Sequence, residues 1–248
     1  MDKLAVIAGA SGEFGREITK KLVARGLKIV AVGRNLEELQ KLGAEIGNII
    51  PCKADLSKDS SIEIIKSACN APVKIIVNSA GVPVAGGVMD ADIAAMSEAV
   101  NIKVGGFLRM VRAVDSRLEK HSRLVAIGGH YGLEPTAYAA TAGVGNAALI
   151  NVSRQLSLAY GARGITSHII APGPADTPRL RNVAKARAER DGQTLEEVLE
   201  IMASESSLGA FTTPSQVAWA VSLLLDEEAD AMTGSTIMLD SGRRKGLP

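Results

Sequence analysis

The stretch Leu4-Ala5-Val6-Ile7-Ala8-Gly9-Ala10-Ser11-Gly12-Glu13-Phe14-Gly15 decides the fold of this chain. An apolar run of strand length, Leu4–Ala8, enters a glycine-rich turn. Beyond it, Ile18, Leu22 and Val23 share one helical face, and Gly26 stops the helix. Glycine lets the backbone turn sharply, and the first amides of the following helix can hold a phosphate. Strand, turn and helix together open a dinucleotide-binding unit.

The alternation continues outward from there. Lys28–Val32 reads as a second strand, and Asn35 caps a helix to about Ile46. Ile49–Cys52 is a third strand, Ser60–Ala68 a helix and Lys74–Val77 a fourth strand. Ala91–Ala99 and Lys103–Leu118 read as helices, Arg123–Ile127 as strand five, Ala137–Tyr160 as a long helix and Thr166–Ile170 as strand six. A polar helical insert, Pro178–Ser204, precedes a helix at Pro214–Leu225 and a last strand at Ser235–Leu239. Strands apolar on both faces require a parallel sheet covered by helices on both sides. Right-handed crossovers then make the fold doubly wound, with seven strands. With no linker or repeat, one α/β domain over 1–248 is expected.

Composition excludes several classes. The 248 residues carry 28 Lys+Arg against 27 Asp+Glu, so no charge excess points to nucleic acid or an acidic membrane. No apolar run reaches membrane-spanning length. Met1-Asp2-Lys3 leads directly into a strand, so no leader is expected and a cytoplasmic location is. Cys52 and Cys69 read as small buried residues, with no metal set. Aromatics make up only 3% of the chain, so the ring acids are few enough to name: Tyr131, Tyr138, Tyr160, His121, His130 and His168.

Further motifs follow the strands. Arg34 closes strand two where an NAD-selective site carries an acidic residue. An arginine there suits a 2′-phosphate, with a hydrogen bond from Ser11, so NADP(H) is favoured over NAD(H). Ala54-Asp55-Leu56 follows strand three, and Asn78-Ser79-Ala80-Gly81 follows strand four. Pro172-Gly173-Pro174-Ala175-Asp176-Thr177-Pro178 follows strand six, and Met232-Thr233-Gly234 and Asp240-Ser241-Gly242 flank the last strand. In this order, the motifs make the whole chain resemble the short-chain dehydrogenase/reductase family, a Rossmann fold. The resemblance implies an oxidoreductase whose cofactor meets Gly9, Ser11, Gly12, Phe14, Gly15, Arg34, Asp55, Leu56, Asn78, Ala80, Gly81, Pro172, Gly173 and Thr177. The turn departs from the commoner family pattern at Glu13, whose carboxylate is expected to point away from a bound phosphate.

The family's Asn-Ser-Tyr-Lys set is mostly missing. Asn101 matches the Asn. At the Ser position the chain reads Ile127-Gly128-Gly129-His130-Tyr131-Gly132. One placement of the Tyr, at Tyr138, requires a shortened loop. The ungapped count, from Gly129 forward and from Pro172 back, puts Ala142 at the Tyr and Asn146 at the Lys. With Asn146 the tract is similar to the family's bacilysin-biosynthesis reductase branch, which implies hydride delivery to a conjugated enone. Enolate stabilisation then replaces a tuned proton donor. Asn101, His130, Tyr138 and Asn146 are the candidate catalytic residues. Alternatives are a silent NADP(H)-binding protein and an ordinary ketoreductase using Tyr138. The insert, about 178–205, falls where the family carries a substrate lid. Gly105, Gly106, Gly143 and Gly145 would permit close helix packing, so a homodimer or homotetramer acting on a small molecule is expected.

Overall fold

The computed structural model describes residues 3–82 and 86–246; Met1 and Asp2, which open the strand-entry reading, lie outside them. Seven parallel strands form one sheet in the order β3-β2-β1-β4-β5-β6-β7. They are β1 (Leu4–Ala8), β2 (Lys28–Gly33), β3 (Ile49–Lys53), β4 (Val73–Asn78), β5 (Leu118–Ile127), β6 (Thr166–Pro172) and β7 (Thr236–Leu239). The order reverses between β1 and β4. A crevice opens there at the carboxyl ends of the strands, the place where doubly wound sheets bind ligands.

Period-two alternation divides the core. Val6, Val30, Ile76 and Leu124 face one side, where α3 (Ser61–Ala68), α5 (Gly106–Val114) and α6 (Ala140–Tyr160) supply Ile65, Phe107, Met110 and Leu149. Ile7, Ile29, Val77 and Val125 face the other, against Ile18 and Leu22 of α1 (Glu13–Ala24), Leu39 of α2 (Leu36–Ile46) and Val217 of α9 (Pro214–Leu223). The Asn35 side chain accepts from the amides of Glu37 and Glu38, so the cap read from sequence is present.

Four stretches differ from the sequence reading. The helix expected over Lys103–Leu118 is not continuous, and its last turn, Asp115–Arg117, is 3₁₀. α4 (Ile93–Val100) runs into a π-helical turn at Asn101–Gly105, α5 follows, and Leu118 already belongs to β5. The helix expected from Ala137 starts at Ala140. The polar insert is two helices, α7 (Pro178–Asp191) and α8 (Leu195–Ser204), parted at left-handed Gly192 (φ 66°). They share a small core of Leu180, Ala184, Ala188, Val198 and Met202. Nor are all strands apolar. β5 carries a fully buried Arg123, which donates to Thr166 Oγ1 (3.2 Å) and the Asp226 and Leu224 carbonyls and pairs with Asp230 (2.6 Å).

Candidate active site

The cofactor turn is built from backbone. Gly9 has φ +69°, a conformation that favours glycine, and a Cβ there would stand 2.9 Å from the Ser79 carbonyl oxygen. A Cβ on Gly15 would collide with the Gly9 carbonyl. The Gly12 amide donates to that same oxygen (3.0 Å), and the Ser79 amide donates to Ala8 (3.1 Å). The turns after β1 and β4 therefore touch. α1 starts behind Gly12 with no side-chain cap, which leaves its first amides facing the crevice. This uncapped, side-chain-free cradle fits a diphosphate. Phe14 packs against the core beneath it, and Glu13 is exposed.

The rim of this half is charged. Ser11 Oγ donates to Glu38 (3.0 Å). Arg34 is exposed at the end of β2. Asp55 accepts from the Ser57 amide (3.0 Å) and hydroxyl (2.9 Å). Those bonds, with smaller help from Lys58 and Arg34, hold its carboxyl below the usual range. Leu56 lies under Gly106. Asn78 is a brace: its Nδ2 donates to the Lys103 carbonyl (3.1 Å) and its Oδ1 accepts from the Ala80 amide (3.2 Å). Thr177 caps α7, accepting from the Leu180 amide. Gly173 follows β6, its amide on the Leu239 carbonyl (3.0 Å).

The other half gathers side chains from distant elements. Asn146 is 5% exposed on α6, with its Oδ1 unpartnered. A Cβ on Gly129 would stand 2.8 Å from its Nδ2, and one on Gly132 would stand 2.9 Å from its Cβ. The two glycines make room for the asparagine. His130, also 5% exposed, stacks on Tyr131 with ring centroids 3.9 Å apart and has Nε2 unpartnered. Burial first, then the charge of Arg243, pushes its pKa down to about 4 despite a hydrogen bond to the Pro172 carbonyl, so the ring is neutral. The Tyr131 and Tyr138 hydroxyls lie 3.2 Å apart. Burial first, then the bond to Tyr138, pushes Tyr131 up to about 12. At Tyr138 burial pushes upward, but Tyr131, Thr136 and Arg243 outweigh it and bring the phenol below its ordinary value. Tyr138 stands before α6 and is 60% exposed.

Asn101 is engaged elsewhere. Its Nδ2 donates to the Ser57 carbonyl (3.1 Å) and Glu98 (3.0 Å), and its Oδ1 accepts from Arg109 (2.9 Å). The structure thus brings His130, Tyr131 and Tyr138 together, places Asn146 against Gly129 beside them, and turns the Asn101 amide toward the turn after β3 and toward Arg109 of α5. The sequence reading missed Lys103. Its Nζ is buried and donates to the Ile127 carbonyl at 2.8 Å, at the carboxyl end of β5. A signal existed, because Ala99, Lys103, Phe107 and Met110 fall on one helical face, and the other three are apolar. It also missed Arg243, which donates to the Met202 carbonyl (3.2 Å) and Glu205 and lies by the tyrosine pair.

The remaining ring acids and thiols serve packing. Tyr160 donates to Asp115 (2.8 Å), and His121 meets Asp230 (2.8 Å) below the sheet. His168 is buried against Thr166. Cys52 and Cys69 are buried, and burial pushes their thiols up to about 11 and about 12. Among the described residues no helix is long and apolar enough to cross a membrane. Gly106 meets Leu56 and Gly145 meets Ala99 and Lys103, so these two glycines serve packing within the chain.

Comparison with known proteins agrees with this geometry. Residues 9–244 match the family model described as Enoyl-(Acyl carrier protein) reductase. An uncharacterized oxidoreductase of Staphylococcus epidermidis is 30% identical over 185 residues, covering 71% of this chain and 80% of the relative. The 3-oxoacyl-[acyl-carrier-protein] reductase FabG of Escherichia coli K12 is 27% identical over 246 residues, covering 97% and 96%. Among solved structures, YwfH, an NADPH-dependent reductase involved in bacilysin biosynthesis, superposes with TM-score 0.89 at 22% identity over the full length of both chains. With the family model matching residues 9–244 and the doubly wound seven-stranded sheet behind the glycine-rich turn, the chain belongs to the short-chain dehydrogenase/reductase family of NAD(P)-dependent oxidoreductases.

Proposed function

We propose that this protein is an NADP(H)-dependent reductase that delivers hydride to a conjugated or activated carbonyl compound through a site without the family's Ser-Tyr-Lys set. The observation that carries the reading is the seat of Asn146. With Gly129 opposite its amide and Ala142 one turn earlier, the ungapped serine, tyrosine and lysine positions hold no hydroxyl and no amine. The cofactor, when bound, supplies the hydride. Gly9, Gly12, Phe14 and Gly15 hold its diphosphate, and Arg34 and Ser11 its 2′-phosphate. Asp55 and Leu56 line the adenine side, and Ala80, Gly81, Pro172, Gly173 and Thr177 the nicotinamide side.

Hydride arriving at the far carbon of an enone leaves negative charge on the carbonyl oxygen. Hydrogen-bond donors stabilise that oxygen, and water can protonate the carbon afterwards. Asn146 Nδ2 and the Tyr131–Tyr138 pair are the donors proposed for it. Neutral His130 adds a polar wall, and Asn101 acts by holding the π-turn. α7 and α8 serve as a lid. Val144 and Leu158, exposed on α6, favour a homodimer or homotetramer. We infer a single domain across residues 1–248.

The test is NADPH consumption on a panel of cyclic enones and matched saturated ketones, with products read by NMR. Saturation of the enone carbon–carbon bond is expected; turnover of ketones alone would overturn the reading. A second reading has its own support. The lowered phenol of Tyr138 suits a proton donor, so ketone turnover abolished by Tyr138→Phe would establish ordinary ketoreduction. Tight NADPH binding with no turnover on any substrate would favour a silent partner protein.

A further inference from the structure

We infer that Lys103 places the site's positive charge at the nicotinamide end of the cofactor, reaching it from the π-turn of the neighbouring helix rather than from α6. The inference rests on the NADP(H) reading above and concerns a residue outside the family's motif.

Lys103 sits in the turn Asn101–Gly105 and is 8% exposed. Its stem passes Gly145 of α6, where a Cβ would stand 3.7 Å from Lys103 Cγ. Its carbonyl is held by Asn78, the residue that also fixes the Ala80 amide, so the lysine is braced to the turn after β4. Its Nζ donates to the Ile127 carbonyl at the end of β5, two residues before Gly129. A buried ammonium has three donors and is costly unless they and its charge are matched. Among the described residues one acceptor is in place and no carboxylate pairs with it. The charge that acts on it is another cation, Arg179 of α7, whose Nη1 donates to the Val82 carbonyl at 3.0 Å. A lysine whose only task was to cap Ile127 would be a poor solution in this surrounding. A ligand presenting hydroxyls and no positive charge would complete it.

Burial first, then Arg179, lowers the amine to about 8, so it titrates in an accessible range. The other groups facing this end are Arg179, His130, Asp240, Arg243 and the tyrosine pair. His130 is neutral above about pH 5 because its pKa is about 4. Asp240 accepts from the Gly242 and Arg244 amides. Tyr138 is the one neighbour that calls for a control.

Oxidised nicotinamide is cationic and reduced nicotinamide is neutral. Protonated Lys103 therefore disfavours NADP+ relative to NADPH, and that preference is lost as pH rises through the lysine pKa. The 2′-phosphate is common to both forms and cancels in the ratio. The experiment measures dissociation constants of NADP+ and NADPH by fluorescence titration from pH 6.5 to 9.5, with thermal unfolding as a folding control. Wild type should show a Kd ratio, NADP+ over NADPH, on the order of tenfold larger at pH 6.5 than at pH 9.5. Lys103→Met should hold the low ratio at every pH, and Lys103→Arg should hold the high one. Tyr138→Phe should follow wild type. If Lys103→Met fails to fold, the persistence of the high ratio in Lys103→Arg carries the test. A ratio in wild type that does not change with pH overturns the role of Lys103 and leaves the cofactor reading intact. Failure of wild type to bind NADP(H) in either form overturns both.

Discussion

The two halves of the crevice are made differently. On the β1 side the floor of the site is main chain, inside its charged rim: a left-handed Gly9, an uncapped helix start and two turns touching through Gly9 and Ser79. On the β5–β6 side it is side chains, with His130, Asn146, Lys103 and Arg243 arriving from four separate segments, and with His130 Nε2 and Asn146 Oδ1 unpartnered. A main-chain site tolerates little change of backbone but holds a cofactor common to many enzymes. A side-chain site can exchange its groups while the scaffold stands. The difference explains how a family member can keep its cofactor cradle and alter its chemistry.

The sharpest break of this contrast is Gly15→Ala. Its Cβ would collide with the Gly9 carbonyl, backbone that cannot swing away. A loss of about 3 kcal/mol or more of stability is expected in urea unfolding, together with cofactor binding. A variant as stable as wild type would show that the cradle is looser than described.

Acid acts on the other half. His130 is held neutral with its pKa lowered to about 4, as is His168 inside β6. The unfolded chain takes up a proton near pH 6.5, where the folded ring does not. Each ring therefore supports folding fully above about pH 6.5 and loses that support as pH falls toward 4, by about 3 kcal/mol at most. In His130→Phe the fall in stability between pH 6.5 and 4 should be shallower than in wild type, read by urea unfolding at each pH. An unchanged slope would show that the ring is hydrated and not buried as described.

A smaller effect is expected at the Gly129–Asn146 contact. Gly129→Ser should cost about 2 kcal/mol, and much less when Asn146 is also changed to Ala. A double-mutant cycle reads the coupling, and additive changes would separate the two positions. The smallest effect belongs to the rim: Arg34→Leu should weaken NADPH roughly tenfold and leave NADH almost unchanged, the scale of one charge-assisted hydrogen bond. Equal loss for both would remove Arg34 from phosphate selection.

The same contrast decides what could be read from sequence. The cradle was legible because glycine spacing after a strand is a backbone statement, and strand order follows from alternating apolar runs. Asn35 was legible as a cap for the same local reason. The insert reads only as a helical stretch, without its division, although Thr194 and Glu197 form a capping box that restarts the helix after Gly192. There the polar composition of the whole stretch masked a local signal. Lys103 was passed over because a lysine in a helical stretch ordinarily lies in water. Only the apolar residues on its own face reveal its burial. The neighbours of Asn146 were partly legible by counting, but Arg243 could not be: nothing near Asp240-Ser241-Gly242 announces that the tail returns to Tyr131 and Tyr138. Asn101 shows the converse, a motif match whose side chain turns to Ser57 and Arg109.

The contact between Gly129 and Asn146 also sets an order for any redesign of this pocket. A side chain introduced at 129 meets the asparagine amide, and a longer side chain at 146 must pass both Gly129 and Gly132. Shortening 146 first opens room at 129, whereas filling 129 first displaces the asparagine. The two positions therefore share one volume: what one gains, the other must give up.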